Sequence, residues 1–592
     1  MKLIRLKITD PEGYRSLQSG FEYHFRKEWQ WKAELDTTHD FAPFVCAGPN
    51  GSGKSNLLEA LAAIFYQLEI LRSRRNFLPD SFLSDAPEDM DKLDDILGKP
   101  TGFELEYLIS VPKEYLAATI NTPTKLAHVR AVKKPKMPIQ LFWWNADEFD
   151  TSSVDSVGEK EREFLLPDYI LGYSSGENEV LSLPFFKMRF VQYDEYWQAL
   201  IQQNGYSGRP DSRMIYLDNS FSQAILLCNL LFESESNLAS FREDVGITAL
   251  NEFRIILKRS IPIPTMATNQ FGEKNPSLYE NPITGDYQAN LLKLLEADSN
   301  SADNFDPIIT RLKRCATCWF EDEATDSLYL DYKVNQATYL AFQNNFASAL
   351  ELFQALQVLL TLNLYSVSEQ LKSDLYQSDS LYVGETVPSL PSDERIMRIK
   401  NFWVSKSGLA EPVLLKSFSD GEHQLLHTLG LCLLFKDTNS LFLLDEPETH
   451  FNPQWRANFI SRLQQSLSGS HNQEMLITTH TPFLISDSTP DKVLVFDKDQ
   501  ENGKVSIDKP KYNTLGASIN LIAMETFKKH ETIGRRANDI LQHLLSSEFL
   551  SEDPHVLVKR IIDTLGDSIE RSFAIQEVLS RSKEPIGSRT ED

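Results

Sequence analysis

Apolar and polar residues alternate along this chain in short runs that predict strands and in longer runs that predict helices. Residues 1–8 alternate with the period of two that is typical of a strand, and apolar runs at 41–47, 101–111 and 137–144 predict further strands. Residues 56–64 carry apolar side chains at helical spacing, directly after a glycine-rich stretch. The first part of the chain therefore predicts a mixed α/β fold.

The pattern changes near residue 200. From about 200 to 395 it predicts mostly helices, and the clearest helix is expected at about 337–375. Strands are expected again at 395–404 and 413–415, and helices beyond residue 515. This order indicates an insertion between two parts of one α/β unit.

The stretch from Gly48 to Ser55 reads G-P-N-G-S-G-K-S and fits the consensus G-x-x-x-x-G-K-[ST] in full, between a predicted strand and a predicted helix. Glycines let successive backbone N–H groups face a phosphate, and the positive end of the next helix adds to the attraction. Lys54 is expected to reach the β- and γ-phosphates of ATP, and the Ser55 hydroxyl to bind Mg²⁺. The residues expected to contact nucleotide here are Gly48, Asn50, Gly51, Gly53, Lys54, Ser55 and Asn56.

Two later apolar runs end in polar residues. Residues 440–446 read S-L-F-L-L-D-E, as expected of a buried parallel strand with acids at its carboxyl end. Asp445 is expected to hold Mg²⁺ through water, and Glu446 to polarise the water that attacks the γ-phosphate. His480 follows the run 475–479 and can hydrogen-bond that phosphate or that water. A simple strand end and a loop histidine explain each motif alone, but the set favours an ATP site.

A polar segment precedes the apolar helix expected at 425–435. It reads S-D-G-E from Ser419 to Glu422, so its serine and backbone amides lie at a helix N-terminus. Such an end attracts anions, which makes Ser419 through Gly421 a second candidate phosphate site. By itself the segment is equally typical of an ordinary helix cap.

In this order, the phosphate loop, S-D-G-E, L-L-D-E-P-E-T-H-F-N-P and T-T-H-T-P resemble the ABC-type ATPases of the SMC/RecF group. The variant E-P-E-x-H-φ-x-P followed by T-H-[ST]-P is most similar to the ATPase half of the overcoming-lysogenization-defect (OLD) nucleases and to related prokaryotic antiviral ATPases, such as the Septu-like and restriction-associated ones. The resemblance covers about residues 1–200 and 395–500.

The resemblance implies an α/β fold: an ABC-type P-loop ATPase head with a mostly helical insertion and a helical C-terminal extension. It also implies that each ATP, with Mg²⁺, is held between two protomers. One protomer would supply Lys54, Ser55, Asp445, Glu446 and His480, and the other Ser419, Gly421 and Glu422. Asn452 falls where the family often has the residue that couples the two sites.

The expected division of the chain has four parts. They are the N-terminal part of the head (1–200), the mostly helical insertion (201–395), the C-terminal part of the head (396–515) and the helical extension (516–592).

Three features depart from the family pattern or stay open. Residues 174–177, S-S-G-E, also resemble the signature, but Pro184 soon interrupts any helix there, so we interpret them as a lobe or interface loop. The glutamine that the family carries between phosphate loop and signature could be Gln140 or Gln192. The basic stretches 72–75 and 125–136 could contact phosphates, although solvated loops have the same composition.

Two further metal sites, that of an OLD nuclease domain and that of a zinc hook, have less support in the sequence. An OLD nuclease domain needs a glutamate and a D-x-D pair, and the late pair Asp497 and Asp499 lies in a predicted hairpin with 505–507. Cys315 and Cys318 have the C-x-x-C spacing of a zinc hook, but long heptad arms are missing on both sides. A structural interpretation of both pairs is therefore favoured.

Composition narrows the remaining function classes. The chain has 592 residues, 41% hydrophobic and 24% charged, which is ordinary for globular proteins, and we found no apolar run long enough to span a membrane. Five scattered cysteines do not form a disulfide framework, so a cytoplasmic protein is expected. The net charge of −25 argues against indiscriminate DNA coating, since that binding depends on phosphate neutralisation.

These features lead to one main hypothesis and two alternatives. We expect an ATP-hydrolysing homodimer that switches conformation and controls a nuclease or other toxic effector of an anti-phage system. Assembly of such dimers into larger complexes stays open. The first alternative is a RecF-like repair or recombination ATPase that binds DNA directly. The second is a self-contained nuclease, for which Asp497 and Asp499 are the candidates.

Overall fold

The phosphate loop follows Phe44–Ala47, a strand inside a seven-stranded sheet. A computed structural model describes most of the chain. The residues outside the description are 28–40, 73–96, 117–125, 150–156, 177, 204–211, 272–274, 283, 298–305, 369, 373–389, 468–471, 530–532, 547–552 and 582–592.

Twenty strands are assigned in the described residues. In chain order they are β1 Lys2–Ile8, β2 Glu22–His24, β3 Phe44–Ala47, β4 Phe103–Ser110, β5 Leu126–Lys133, β6 Gln140–Trp143, β7 Tyr169–Ser174, β8 Met214–Tyr216, β9 Ile247–Lys258, β10 Ser260–Pro262, β11 Leu278–Glu280, β12 Tyr287–Asn290, β13 Cys318–Asp322, β14 Ser327–Lys333, β15 Met397–Lys406, β16 Val413–Leu414, β17 Ser440–Asp445, β18 Glu474–Thr478, β19 Val493–Lys498 and β20 Val505–Asp508.

Fifteen α-helices are assigned in the same residues. They are α1 Lys54–Ile70, α2 Glu159–Leu165, α3 Glu179–Gln202, α4 Asn219–Phe232, α5 Leu291–Ala297, α6 Ile308–Cys315, α7 Gln336–Asn345, α8 Ala349–Thr361, α9 Asp420–Leu434, α10 Pro453–Ser466, α11 Pro482–Ser486, α12 Ile519–Glu525, α13 Arg535–Leu544, α14 Pro554–Thr564 and α15 Ile569–Arg581.

The central sheet has the order β20-β19-β3-β18-β17-β7-β8. All its neighbouring strands are parallel except β19 and β20, which form the expected hairpin. Parallel strands all end at the same edge of a sheet, so the carboxyl ends of β3, β18, β17 and β7, and the loops that follow them, lie side by side. This edge collects the segments after Ala47, Asp445, Thr478 and Ser174.

Helix α1 is buried on nearly all sides. Its apolar residues pack in one cluster with the antiparallel sheet β2-β1-β4-β5-β6 and with alternate residues of the central sheet. A helix that is apolar around its whole circumference needs cover on every side, and the two sheets and α3 provide it. The helix that begins at Lys54 is therefore held rigidly behind the phosphate loop.

The block at 201–395, expected to be mostly helical, contains strands as well as helices in its described residues. Strands β8 to β14 lie within it, and β9 pairs with β14 on one side and with β15 on the other. The sheet β13-β14-β9-β15-β16 therefore crosses the boundary expected between residues 395 and 396. The 12-residue strand Ile247–Lys258 has three consecutive buried residues, Ile255 to Leu257, near its carboxyl end, so clean alternation is lost there.

The long helix expected at 337–375 is wrong. The structure has two helices, α7 and α8, bent by 78° at the break between them. Ser348 caps the second helix by accepting a hydrogen bond from the N–H of Glu351, which starts a new helix just after Phe346 leaves the helical conformation. Apolar residues keep their helical spacing across the break, so the hydrophobic pattern does not indicate where the first helix ends.

No single helix in the described residues is both long and apolar enough to cross a membrane. The consecutive segments Gln336–Asn345 and Ala349–Ser366 meet the length and composition criterion when taken together, although they are sharply bent.

Cys315 and Cys318 lie in different environments, one buried and the other exposed. Cys315 ends α6, where its buried thiol donates to the carbonyl of Ala341, and Cys318 begins β13 and is exposed. Burial raises the pKa of the Cys315 thiol to about 12, which opposes the thiolate that zinc requires. These contacts favour the structural interpretation.

A buried ion pair joins the first sheet to the central sheet. The Arg26 guanidinium donates to Glu474 at the start of β18, with Nη2 3.2 Å from Oε1, and both side chains are almost fully buried. The N–H of Leu3 donates to the same carboxylate at 2.7 Å. Burial opposes ionisation, but Arg26 and Lys2 together hold the pKa of Glu474 below its usual value.

We predict that Glu474→Ala lowers the free energy of unfolding by about 3–5 kcal/mol, because it leaves Arg26 charged and buried without its partner. Chemical denaturation measures this. The control is Glu12→Ala, which removes an exposed partner of Lys99 and is expected to cost less than about 1 kcal/mol. Equal effects of the two substitutions would contradict the assignment.

Candidate functional site

The phosphate loop has the backbone of an anion cradle. Gly48, Gly51 and Gly53 have φ values of 143°, 74° and 98°, all in the region that favours glycine. A Cβ on Gly48 would lie 2.3 Å from the carbonyl oxygen of Phe496 in β19, so no other residue fits there. The Lys54 ammonium donates to the carbonyl oxygens of Gly48 and Pro49, each at 3.0 Å.

Asp445 gathers polar partners from three segments. The Ser55 hydroxyl donates to its Oδ1 at 2.9 Å, and the Thr478 hydroxyl donates to the same oxygen at 2.5 Å. The side-chain amide of Asn178 donates to Oδ2 at 2.9 Å. The two predicted magnesium ligands, Ser55 and Asp445, are therefore brought into contact by strands β3 and β17.

Glu446 and His480 face each other beyond the strand ends. Nε2 of His480 lies 2.8 Å from Oε1 of Glu446, and both side chains are just over one-third exposed. Glu446 has φ of +50°, a strained value for a residue with a side chain, and its N–H donates to the Thr478 hydroxyl at 3.1 Å. The hydrogen bond from His480 lowers the pKa of Glu446, so this carboxylate is ionised near neutral pH.

The residues present fit a magnesium-bound nucleotide. The Ser52 hydroxyl is buried in the loop and has no hydrogen-bond partner in the described structure, so a phosphate oxygen would satisfy it. Burial disfavours the charged form of the Lys54 ammonium and lowers its pKa to about 8. An anionic ligand beside it would stabilise the charged form again. A hydroxyl and a carboxylate 2.9 Å apart form the oxygen donor set that Mg²⁺ prefers.

Ser419 caps α9 as the sequence predicts. Its hydroxyl accepts from the N–H of Glu422, and the Glu422 carboxylate accepts from the N–H of Ser419, which together form a capping box. Glu422 also pairs with Lys406, so its carboxylate is used within the chain. Ser419 is exposed, and the described residues show no hydrogen bond between it and the phosphate loop.

The remaining predicted residues lie around this site in different roles. Asn452 caps α10 by accepting from the N–H of Trp455 at 2.9 Å and is exposed. Asn56 accepts from the Ser16 hydroxyl and donates to Glu59 at 2.8 Å, which places it beneath the loop. Asn50 and Gly51 lie exposed at the tip of the loop.

Sequence reasoning missed Asn178. The described contacts of Asp445 include neither Gln140, an exposed residue of β6, nor Gln192 of α3, and the amide of Asn178 is there instead. Asn178 also donates to Glu59 at 3.3 Å, and Glu59 is itself buried on α1. Asn178 follows the end of β7 by four residues, and only the pairing of β7 with β17 brings it to Asp445.

The loop at 174–177, interpreted above as a lobe or interface loop, borders the site in its described part. The N–H of Ser175 donates to the backbone oxygen of Asp445 at 3.1 Å, and its hydroxyl lies 2.9 Å from that of Thr449. β7 is the parallel neighbour of β17, so its end meets the acidic strand end directly.

Three described residues of the basic stretches, Arg72, Arg130 and Lys133, are used inside the fold. Arg72 is nearly buried beside Glu69 and donates to backbone oxygens of Glu163 and Pro167. Lys133 is fully buried at the end of β5, and Arg130 of the same strand pairs with Glu104. Of the two alternatives left open for 125–136, phosphate contact and a solvated loop, the second does not describe residues 126–133, which form β5; residues 73–75 and Lys125 lie outside the described residues.

The pair Asp497 and Asp499 has partners of its own in the β19–β20 hairpin. Asp497 pairs with Lys528 at 2.6 Å. Asp499 accepts from the N–H of Glu501 and from the side-chain amide of Asn502, which are the bonds of a tight turn.

Comparison with known proteins adds a partial match. Residues 319–486 match the family model described as "AAA domain, putative AbiEii toxin, Type IV TA system". This stretch is less than a third of the chain; it includes Ser419, Asp445, Glu446 and His480 and excludes the phosphate loop. No curated protein matches the chain.

Among solved structures, the chain is similar to a crystal structure of the Smc head bound to the C-winged helix domain of ScpA. The identity is 10%, the TM-score is 0.32, and the alignment covers 86% of this chain and 98% of that chain.

Glu448 is a buried carboxyl that connects two loops of the site. It accepts a hydrogen bond from the Thr479 hydroxyl, next to His480, and its other oxygen is buried with no hydrogen-bond partner among the described residues. Burial raises the pKa of Glu448 to about 7. Since this pKa exceeds the ordinary value of 4.5, the folded chain loses stability as the pH rises from about 4.5 through 7.

We predict that Glu448→Gln gains stability relative to the parent as the pH rises from 5 to 8, by up to about 3 kcal/mol, because the amide carries no charge to bury. Thermal unfolding across this pH range measures the difference. Glu501→Gln, in an exposed turn, serves as the control and is expected to track the parent. A pH-independent difference for Glu448→Gln would show that this carboxyl does not titrate there.

Proposed function

We propose that this protein binds and hydrolyses ATP with Mg²⁺. The observation that carries the proposal is the meeting of five side chains at one edge of the central sheet. They come from segments far apart in the sequence and comprise Lys54, Ser55, Asp445, Glu446 and His480. The matched AAA domain over residues 319–486 supports the same reaction class.

Each side chain has a role that follows from its position. The loop amides and Lys54 bind the polyphosphate, and Ser55 with Asp445 holds the metal ion. When bound, Mg²⁺ neutralises charge that develops on the phosphate oxygens. Glu446 is ionised and just over one-third exposed, so it can accept a proton from an attacking water, and Nε2 of His480 orients that carboxylate from 2.8 Å.

The proposal extends to a homodimer that closes on ATP. The N-terminus of α9 has Ser419 exposed and Gly421 partly buried, and Ser419 makes no described hydrogen bond to its own phosphate loop. A second copy could therefore place this helix end on the γ-phosphate, where its N–H groups and dipole favour an anion. Asn452 is exposed in the next loop and would lie at the same interface.

We further propose that the dimer reports its nucleotide state to an effector, as in prokaryotic anti-phage systems. The description of the matched family model names a putative toxin of a type IV toxin–antitoxin system, which supports control of a toxic partner such as a nuclease. Within this proposal, residues 1–200 and 396–515 supply most of the ATPase head, and the parts 201–395 and 516–592 transmit its state.

Direct DNA binding, as in a RecF-like repair ATPase, is the alternative. Its sequence support came from the RecF-like ends of the chain and from two basic stretches, and the structure engages Arg72, Arg130 and buried Lys133 of those stretches within the fold. A nuclease activity of this chain has weaker support, because Asp497 is paired with Lys528 and Asp499 is used in a turn.

We predict that Glu446→Gln retains nucleotide binding but lowers ATP turnover at least 100-fold, because the amide cannot accept the proton. Lys54→Ala is expected to weaken nucleotide affinity at least tenfold, since it removes the buried cation. Steady-state phosphate release and equilibrium binding of a fluorescent ATP analogue measure these effects. Parental turnover in Glu446→Gln would refute the assignment of the base.

Turnover with and without linear duplex DNA separates the two functions. An effector-controlled switch predicts turnover that changes less than twofold with DNA. Stimulation of tenfold or more would favour the repair ATPase, and the same assay on a Lys134→Ala, Lys136→Ala variant would show whether the exposed end of the basic stretch is the contact.

A further inference from the structure

Gln424 is a buried amide in the first turns of α9, and it connects that helix to two other segments. Its Oε1 accepts a hydrogen bond from the backbone N–H of His450 at 2.8 Å. Its Nε2 donates to the hydroxyl of Tyr173 at 3.1 Å. The side chain is 3% exposed, so both bonds are made away from water.

One partner belongs to the loop that follows the candidate catalytic carboxylate, and the other to the strand beside it. His450 lies four residues after Glu446, and Tyr173 stands in β7 opposite Leu444, the residue before Asp445. The hydroxyl of Thr449, the neighbour of His450, donates to the backbone oxygen of Glu446 at 2.9 Å. Two hydrogen bonds, joined through the adjacent residues His450 and Thr449, therefore connect Gln424 to the backbone of Glu446.

Backbone packing strengthens this connection. A Cβ on Gly421 would lie 2.7 Å from the carbonyl oxygen of His450, so the first turn of α9 lies directly on the loop after Glu446. Because His450 is held on one side by Gly421 and on the other by Gln424, the loop and the helix end cannot shift independently. A displacement of either changes the geometry of the other.

The chemistry of the bridge requires an amide. One atom must accept from a backbone N–H while another donates to a phenol oxygen, and the side chain must reach both from a helix. Methionine has similar length and volume but neither polar function, and glutamate would bring a buried charge. The bridge is therefore specific to a residue that combines a donor and an acceptor.

We propose that Gln424 is a positioning residue that couples occupancy of the α9 N-terminus to the placement of Glu446 in the same chain. The inference rests on the proposed function, in which Ser419 and Gly421 meet the nucleotide of a second protomer. Binding at the helix end then sets the geometry of the chain's own catalytic loop through Gln424, His450 and Thr449. In a dimer, this link makes hydrolysis at one site depend on engagement at the other.

The test compares Gln424→Met with a matched control, Gln354→Met. Gln354 is also a buried glutamine on a helix, and it donates to the hydroxyl of Tyr169 at the opposite end of β7. We expect Gln424→Met to keep nucleotide affinity within twofold and to lower kcat at least tenfold. Gln354→Met is expected to keep both within twofold, whatever its loss of thermal stability.

A second readout is independent of turnover. The His450 amide loses its acceptor in Gln424→Met, so its hydrogen exchange is expected to be at least tenfold faster in the nucleotide-free chain, with no such change in Gln354→Met. A kcat of Gln424→Met within twofold of the parent, or equal losses in both variants, would overturn the coupling. Absence of turnover in the parent would instead refute the proposed ATPase, and unchanged His450 exchange would still refute the bridge.

Discussion

The hydrogen bond between Ser55 and Asp445 is the contact on which the rest of the candidate site depends. It joins the phosphate-loop helix to the acidic strand across 390 residues of sequence. Its 2.9 Å distance is set by the parallel neighbours β3, β18 and β17, whose carboxyl ends are level at one edge. Asn178 and Thr478 donate hydrogen bonds to the same carboxylate. Four segments must therefore fold correctly before a metal ion could be held.

Strain and burial concentrate around this contact. Glu446 is held at positive φ, and the Ser52 hydroxyl and one oxygen of Glu448 are buried without partners among the described residues. Such features lower stability, and folds keep them where function requires a fixed geometry. The rigid parts around them, α1 between two sheets and the Arg26–Glu474 ion pair, supply the stability that offsets this cost.

The sequence was sufficient to predict residues whose chemistry is encoded locally. The phosphate loop, the acidic strand end and the Ser419 cap are short patterns within single segments, and the structure has each in the expected strand, loop or helix. Asn178 and Gln424 were not predictable in their roles, because each depends on which strands and loops become neighbours. Gln424 in particular looks like any polar residue of a helix until His450 and Tyr173 lie beside it.

The errors in the fold have the same physical origin. Buried strands such as Ile247–Lys258 lose the polar alternation that marks a strand, because pairing on both sides and packing on a face replace it. The break between α7 and α8 was hidden since apolar spacing continues through it and only the Ser348 cap marks it. Lys133 is a cation fully buried at a strand end, a placement that composition does not indicate.

The central claim is that two copies of this site hydrolyse ATP together, and its most direct test is the Mg²⁺-dependent rate of ATP hydrolysis per chain as a function of protein concentration. A site completed by a second protomer predicts a rate per chain that rises with concentration to a plateau, and that is abolished by Glu446→Gln. A rate per chain independent of concentration down to the lowest measurable level would contradict the shared site. Absence of Mg²⁺-dependent hydrolysis at every concentration would contradict the account as a whole.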